Sequence, residues 1–138
     1  MNSKSWKLPK KKTLIDSSVW IEFLKGNNSE IIQKINDLQK EDLICICGMI
    51  LCEVLCGFKK ESERADISLN IKSFNFINED ESTWEKAAEI FINLREKGLK
   101  APLSDCIVAA VAINNGLKIY SLDKHFESIN SIDLYQYS

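Results

Sequence analysis

Thr13-Leu14-Ile15-Asp16-Ser17-Ser18-Val19-Trp20 is a short apolar run that breaks off at an acid and passes at once into a segment of different period. Residues 13–16 read as a buried strand. Val19, Trp20, Phe23 and Leu24 then fall on one helical face, with Gly26 as the stop. Working outward, Asn28 and Ser29 open a second helix that carries Ile31, Ile32, Ile35 and Leu38, and residues 43–47 form a second apolar strand. Residues 48–58 read as a buried helix, 61–74 as a polar amphipathic one and 74–77 as a weaker strand. Ser82, with Glu85 three residues on, makes a capping box for a helix to Lys97 that Gly98 closes. Pro102 and Ser104 introduce an almost wholly apolar helix, residues 106–113, ended by Asn114, Asn115 and Gly116. Residues 117–120 are a strand, 123–129 a short helix and 132–135 a last strand. Strands alternating with helices predict an α/β fold, a three-layer α/β/α sandwich around a mainly parallel sheet. No repeat, linker or break in composition divides it.

Length and composition agree with a single domain. The chain has 138 residues, of which 45% are hydrophobic and 28% charged, ordinary values that exclude disordered, collagen-like and low-complexity classes. Its longest uncharged run, residues 106–117, is 12 residues long, against about 20 for a membrane-spanning helix. No apolar stretch follows the lysine-rich N-terminus before Asp16, so a secretory signal is not expected and the expected location is cytoplasmic. Five cysteines, at 45, 47, 52, 56 and 106, are an odd number, and four lie in an apolar stretch where free thiols pack as small hydrophobes. Cys52 and Cys56 would share a helical face, which raises a zinc site, but the spacing C-x-C-x4-C-x3-C matches no usual knuckle and no His lies nearby.

The net charge of −2 conceals an asymmetry. Residues 1–12 hold five lysines and no acid, while the rest carries 13 basic and 20 acidic side chains, a net of −7. The expectation is a mobile basic arm, residues 1–12, before an acidic body, residues 13–138. An acidic body argues against broad electrostatic binding of nucleic acid, though not against acting on it where carboxylates hold cations. Lys59, Lys60, Arg64 and Arg95 read as solvated helix charges.

In parallel sheets with helices on both faces, ligands sit beyond the C-terminal strand ends, where strand order reverses. Acids at those ends are the ones to weigh. Asp16 ends the first strand, Asp123 follows the strand 118–120, and Asp105 opens the apolar helix; each is equally a helix cap. Glu53 is the only charge between Asp42 and Lys59, on a helix that otherwise looks buried, so it needs a cation, a partner or an opening to water. Four carboxylates forced together repel one another unless hard cations sit between them, and Mg²⁺ or Mn²⁺ suit oxygen ligands. Ser17 and Ser121 stand where hydroxyls could orient Asp16 and Asp123, or serve only as helix-start and turn serines. His125 is the sole histidine, too few for a metal-free acid–base ribonuclease, and no phosphate-binding glycine loop or serine-hydrolase elbow is present.

These segments resemble a known family. Leu14-Ile15-Asp16-Ser17-Ser18-Val19-Trp20 is similar to the opening motif of PIN-domain ribonucleases, and Glu53-Val54-Leu55-Cys56-Gly57 to their E-x-x-x-G segment. Pro102-Leu103-Ser104-Asp105-Cys106-Ile107-Val108-Ala109-Ala110, followed by Ser121-Leu122-Asp123-Lys124-His125-Phe126, extends the resemblance, which is strongest to the VapC-type toxins of toxin–antitoxin pairs. The resemblance covers residues 13 to about 135; the lysines before Thr13 depart from it. It implies a PIN-like fold and a Mg²⁺- or Mn²⁺-dependent endoribonuclease that cuts a structured RNA such as tRNA or rRNA, leaving a 5′-phosphate and a 3′-hydroxyl. It also implies a homodimer silenced by a cognate antitoxin. Asp16, Glu53, Asp105 and Asp123 would be its catalytic, metal-holding acids, the three aspartates directly and Glu53 through a second ion or a water, with Ser17 and Ser121 in support. Two other readings compete: a catalytically silent PIN-like RNA- or protein-binding module, and a structure-specific DNA nuclease, which the lack of an arch or helical insertion disfavours.

Overall fold

A computed structural model describes residues 9–135. Its strands are β1 (Thr13–Ile15), β2 (Ile44–Cys47), β3 (Asn75–Ile77), β4 (Lys118–Tyr120) and β5 (Asp133–Leu134). They form one sheet in the order β3-β2-β1-β4-β5, and every pairing is parallel. The helices α1 (Ser17–Lys25), α2 (Ser29–Lys40), α3 (Gly48–Cys56), α4 (Glu61–Ile71), α5 (Glu81–Glu96) and α6 (Leu103–Asn115) flank it, as the α/β/α expectation requires.

The central strands carry the core because parallel strands covered on both faces have no solvent side to alternate toward. Each residue of β1 and β2 is buried, and Leu14 pairs with Cys45 on one side and Ile119 on the other. The edge strands β3 and β5 are only partly covered, consistent with their weaker sequence signal. Ile119 has no exposed surface, so Ile119→Ala should remove about 3 kcal/mol or more of stability in a urea titration, the usual cost of emptying a sealed aliphatic site.

Local details depart from the sequence expectations at three places. The capping box of α5 is Asp80 with Thr83, not Ser82 with Glu85: Asp80 Oδ1 accepts from the Thr83 amide at 3.0 Å, and Thr83 Oγ1 accepts from the Asp80 amide at 3.3 Å. Threonine reaches back as glutamate does, and Ser82 instead donates to Asp80. The short helix after Asp123 is one 3₁₀ turn, Lys124–Ser128. Helix α3 is buried only along Ile50 and Val54, so Cys52 and Cys56 are exposed rather than packed, while Cys45, Cys47 and Cys106 are buried free thiols. Burial pushes the Cys47 thiol up to about 12, which makes it inert.

Residues 1–8 of the expected basic arm lie outside the described residues. Lys10 pairs with Glu41 at 3.0 Å and Lys11 with Asp133 at 3.0 Å, laying the segment before β1 along the acidic body. No helix among the described residues is long and apolar enough to cross a membrane.

Candidate active site

The strand order places a crevice between β1 and β4. The chain leaves β1 toward β2 on one side and leaves β4 toward β5 on the other, so the connections diverge beyond the C-terminal ends of the two central strands. Asp16 follows β1 and Asp123 follows β4 at this point, and the Asp16 amide donates to the Tyr120 carbonyl at 2.9 Å, locking the two strand ends together. Helix α6 enters the same edge with Asp105 in its first turn, and α3 brings Glu53 from its last turn but one. The four acids expected from the sequence lie at this end of the sheet, near enough for Asp16 and Asp123 to act on the charge of Glu53 and Asp105.

Asp16 is not a cap. It occupies the N-cap position of α1 but its side chain makes no capping bond. The residue is only 3% exposed, and Oδ2 accepts from Ser121 Oγ at 2.7 Å and Ser18 Oγ at 2.9 Å. The other oxygen, Oδ1, is buried with no hydrogen-bond partner among the described residues. A buried carboxylate oxygen without a donor is costly, and a bound cation would satisfy it. Asp123 does cap the 3₁₀ turn, through Oδ1 accepting from the His125 amide at 2.9 Å, so here the structural and chemical readings coexist.

The Ser121 hydroxyl holds the Asp16 carboxylate rather than that of Asp123, and it also accepts from the Asp123 amide at 2.9 Å. Ser17 turns to Glu53, donating to Oε1 at 3.4 Å. Ser18 was not singled out by the sequence, yet it links three of these groups: it donates to Asp16, lies 3.3 Å from the Ser121 hydroxyl and accepts from the Leu122 amide at 3.1 Å. Glu79 is a second unforeseen contributor. Its two oxygens accept from the Gly48 and Met49 amides at 3.0 and 2.7 Å, anchoring the N-terminus of the helix that carries Glu53. A side chain at Gly48 would come within 3.1 Å of that carboxylate.

His125 is the third. Its Nδ1 lies 2.8 Å from Asp105 Oδ2 and 2.7 Å from Asp123 Oδ1, and two carboxylate acceptors require that this nitrogen carry the proton. Asp105, Asp123 and His125 could also hold a metal ion, their donor atoms all lying within 4.8 Å of one another.

The electrostatics record the crowding. Burial, with the charges of Asp123 and Asp16 adding to it, raises the Asp105 carboxyl to about 6 despite its bond to His125. Burial and then the Asp16 charge raise Glu53, against hydrogen bonds from Ser17 and Ser104. The bond to Asp105 and the charge of Asp123 hold the His125 proton on above its ordinary range. Acids raised by burial and then by one another's charge form a pocket of negative potential suited to a hard divalent cation.

The PIN domain family model matches residues 13–131. The chain belongs to the PIN-domain family. A VapC ribonuclease of Mycobacterium bovis, Mb1587, is 28% identical over 123 residues, 86% of this chain and 92% of that protein. The fold is similar to that of DNA-bound VapBC from Salmonella typhimurium, with a TM-score of 0.78 at 22% identity over 91% of this chain and 98% of the other. It is likewise similar to DNA-bound VapBC2 from Rickettsia felis, at 0.77 and 18% over the same shares.

Proposed function

We propose that this protein is a metal-dependent endoribonuclease and the toxin of a type II toxin–antitoxin pair, cutting a structured RNA. The observation that carries the reading is the convergence of Asp16, Glu53, Asp105 and Asp123 at the strand-order reversal, with one buried oxygen of Asp16 left without a donor. Family membership and the VapC ribonuclease relatives support RNA as substrate, and the similarity to VapBC toxin–antitoxin structures supports a protein antitoxin as partner; a cytoplasmic homodimer completes the proposal.

Asp16, Asp105 and Asp123 would hold Mg²⁺ or Mn²⁺ directly, with Glu53 available for a second ion or for a water. The chemistry a bound cation supplies is hydroxide near neutral pH and neutralisation of charge at the scissile phosphate. The chain's own residues set the stage. Ser18 and Ser121 fix the rotamer of Asp16 so that Oδ1 faces inward, and Ser121 at the same time fixes the turn that presents Asp123. Glu53, its carboxyl raised, can take a proton from an attacking water when ionised.

Removing both hydroxyls that hold Asp16, in Ser18→Ala/Ser121→Ala, should weaken Mn²⁺ binding by about 10–100-fold by titration calorimetry, as loss of ligand-orienting groups does. The function is tested by incubating purified protein with total small RNA, with and without Mn²⁺ or Mg²⁺. Discrete fragments that require the metal are expected; a folded protein that binds RNA but never cuts it would overturn the reading.

A further inference from the structure

Beside the acid cluster lies a cavity of about 440 Å³ whose walls are Phe91, Leu99, Ala101 and Pro102. It opens onto His125, the residue that touches Asp105 and Asp123, so one imidazole forms part of both the cavity and the acid cluster. Two cations, Arg95 and Lys100, stand on its rim, and among the described residues neither has a carboxylate partner within 4 Å. Arg95 lies over the half-buried Phe91 ring at 5.9 Å from the centroid, a cation placed on an aromatic face. Leu99, Leu103 and Leu122 are 42%, 53% and 46% exposed, and the last two stand within two residues of Asp105 and Asp123. Unpaired cations and open apolar surface therefore border the carboxylates on this side.

We propose that this cavity is a base-binding subsite, which takes one unstacked nucleobase of the RNA substrate next to the scissile phosphate. The inference rests on the ribonuclease reading and deepens it. Single-stranded RNA is recognised by stacking splayed bases on aromatic rings and arginine planes while cations follow the backbone. Phe91 and Arg95 provide the stacking pair, Leu99 and Pro102 the apolar edge, and Lys100 a contact for a flanking phosphate. The acid cluster repels the RNA backbone unless cations are bound, so the unneutralised charge of Arg95 and Lys100 gives the strand an anchor on the rim. Anchoring one base beside the acids also fixes which phosphate reaches them, so the subsite sets sequence preference as well as affinity.

The test compares wild type with Phe91→Leu and Arg95→Gln on total small RNA in Mn²⁺, sequencing the new fragment ends and timing their appearance. Wild type is expected to prefer one base, or one class of base, at a fixed position within a few nucleotides of the cut. Both variants should flatten that preference and slow cutting at those sites by on the order of tenfold, the size of one stacking contact, while the rise in melting temperature on adding Mn²⁺ stays at its wild-type value. Arg95 is exposed, so its variant keeps the test valid if Phe91→Leu fails to fold. Variants that cut the same sites at the same rate overturn the subsite and leave the ribonuclease standing. The same holds for variants that cut normally but escape silencing by a protein antitoxin, which would assign the cavity to that partner. A wild-type protein that cuts no RNA overturns the ribonuclease reading, and the subsite with it.

Discussion

Asp16→Asn is expected to lower RNA cleavage by about a thousandfold or more and, in the metal-free protein, to raise the melting temperature. The first effect follows from what the residue would do: Oδ1 is the buried acceptor left for a cation, and losing charge stabilisation worth several kcal/mol at the reacting phosphate costs three or more decades of rate. The second follows from what the same charge does to its neighbours. Asp16 raises the carboxyls of Glu53 and Asp105, so neutralising it relieves repulsion that the folded state otherwise bears. Asparagine keeps an oxygen to accept from Ser18 and Ser121. A gain of roughly 3 °C, corresponding to about 1 kcal/mol, is the expected size. Opposite signs for rate and stability are what a site strained for function produces. A variant that cuts at the wild-type rate would sink the assignment, and one that melts below wild type would make Asp16 a structural partner instead.

The elements were legible because their periods differ. Strand 44–47 is a continuous apolar run, and α6 is apolar all round from Cys106 to Ala112 because it is buried all round there. The order β3-β2-β1-β4-β5 was not legible, since no local pattern says on which side of β1 the chain returns. Once that order is known, Asp16 and Asp123 must meet. The acids themselves stood out because each borders an apolar element, and Glu53 because its helix looked buried. That helix in fact turns Cys52 and Cys56 to solvent, so Glu53 reaches the site from a half-buried edge.

What the sequence concealed were the residues that act on the acids. Ser18 looks like any serine in the first turn of a helix, and only the approach of the β4 loop gives its hydroxyl three polar neighbours. His125 is 20 residues from Asp105, and a solitary histidine carries no spacing signal. Glu79 lies in a loop after a weak edge strand, with nothing local to point to the amides of Gly48 and Met49. Arg95 reads as a surface charge on a helix until the fold sets it in one cavity with His125. In each case the partner is brought in by the sheet, so the information is topological rather than local.

The stabilisation that Mn²⁺ confers should be smallest near pH 5 and largest near pH 8. The Asp105 carboxyl is raised to about 6 from an ordinary value of 3.8, so as pH climbs from about 4 the unfolded chain gives up this proton before the folded one does. Metal-free stability therefore falls across pH 4–6, by roughly 2–3 kcal/mol from this group alone. His125 works in the same direction at higher pH. Its raised basicity favours the folded state below the ordinary histidine range, and that contribution is lost as pH rises through the higher folded value. A divalent cation reverses both trends. It needs Asp105 ionised and competes with the proton that His125 holds between Asp105 and Asp123, so affinity should fall by up to about tenfold for each pH unit below 6. Calorimetric melting at pH 5, 6, 7 and 8, with and without Mn²⁺, measures the difference directly. A metal-induced shift that stays constant across this range would mean that the ion binds elsewhere. In Asp105→Asn the larger part of the pH 4–6 loss of metal-free stability should disappear, the remainder being that of the raised Glu53 carboxyl.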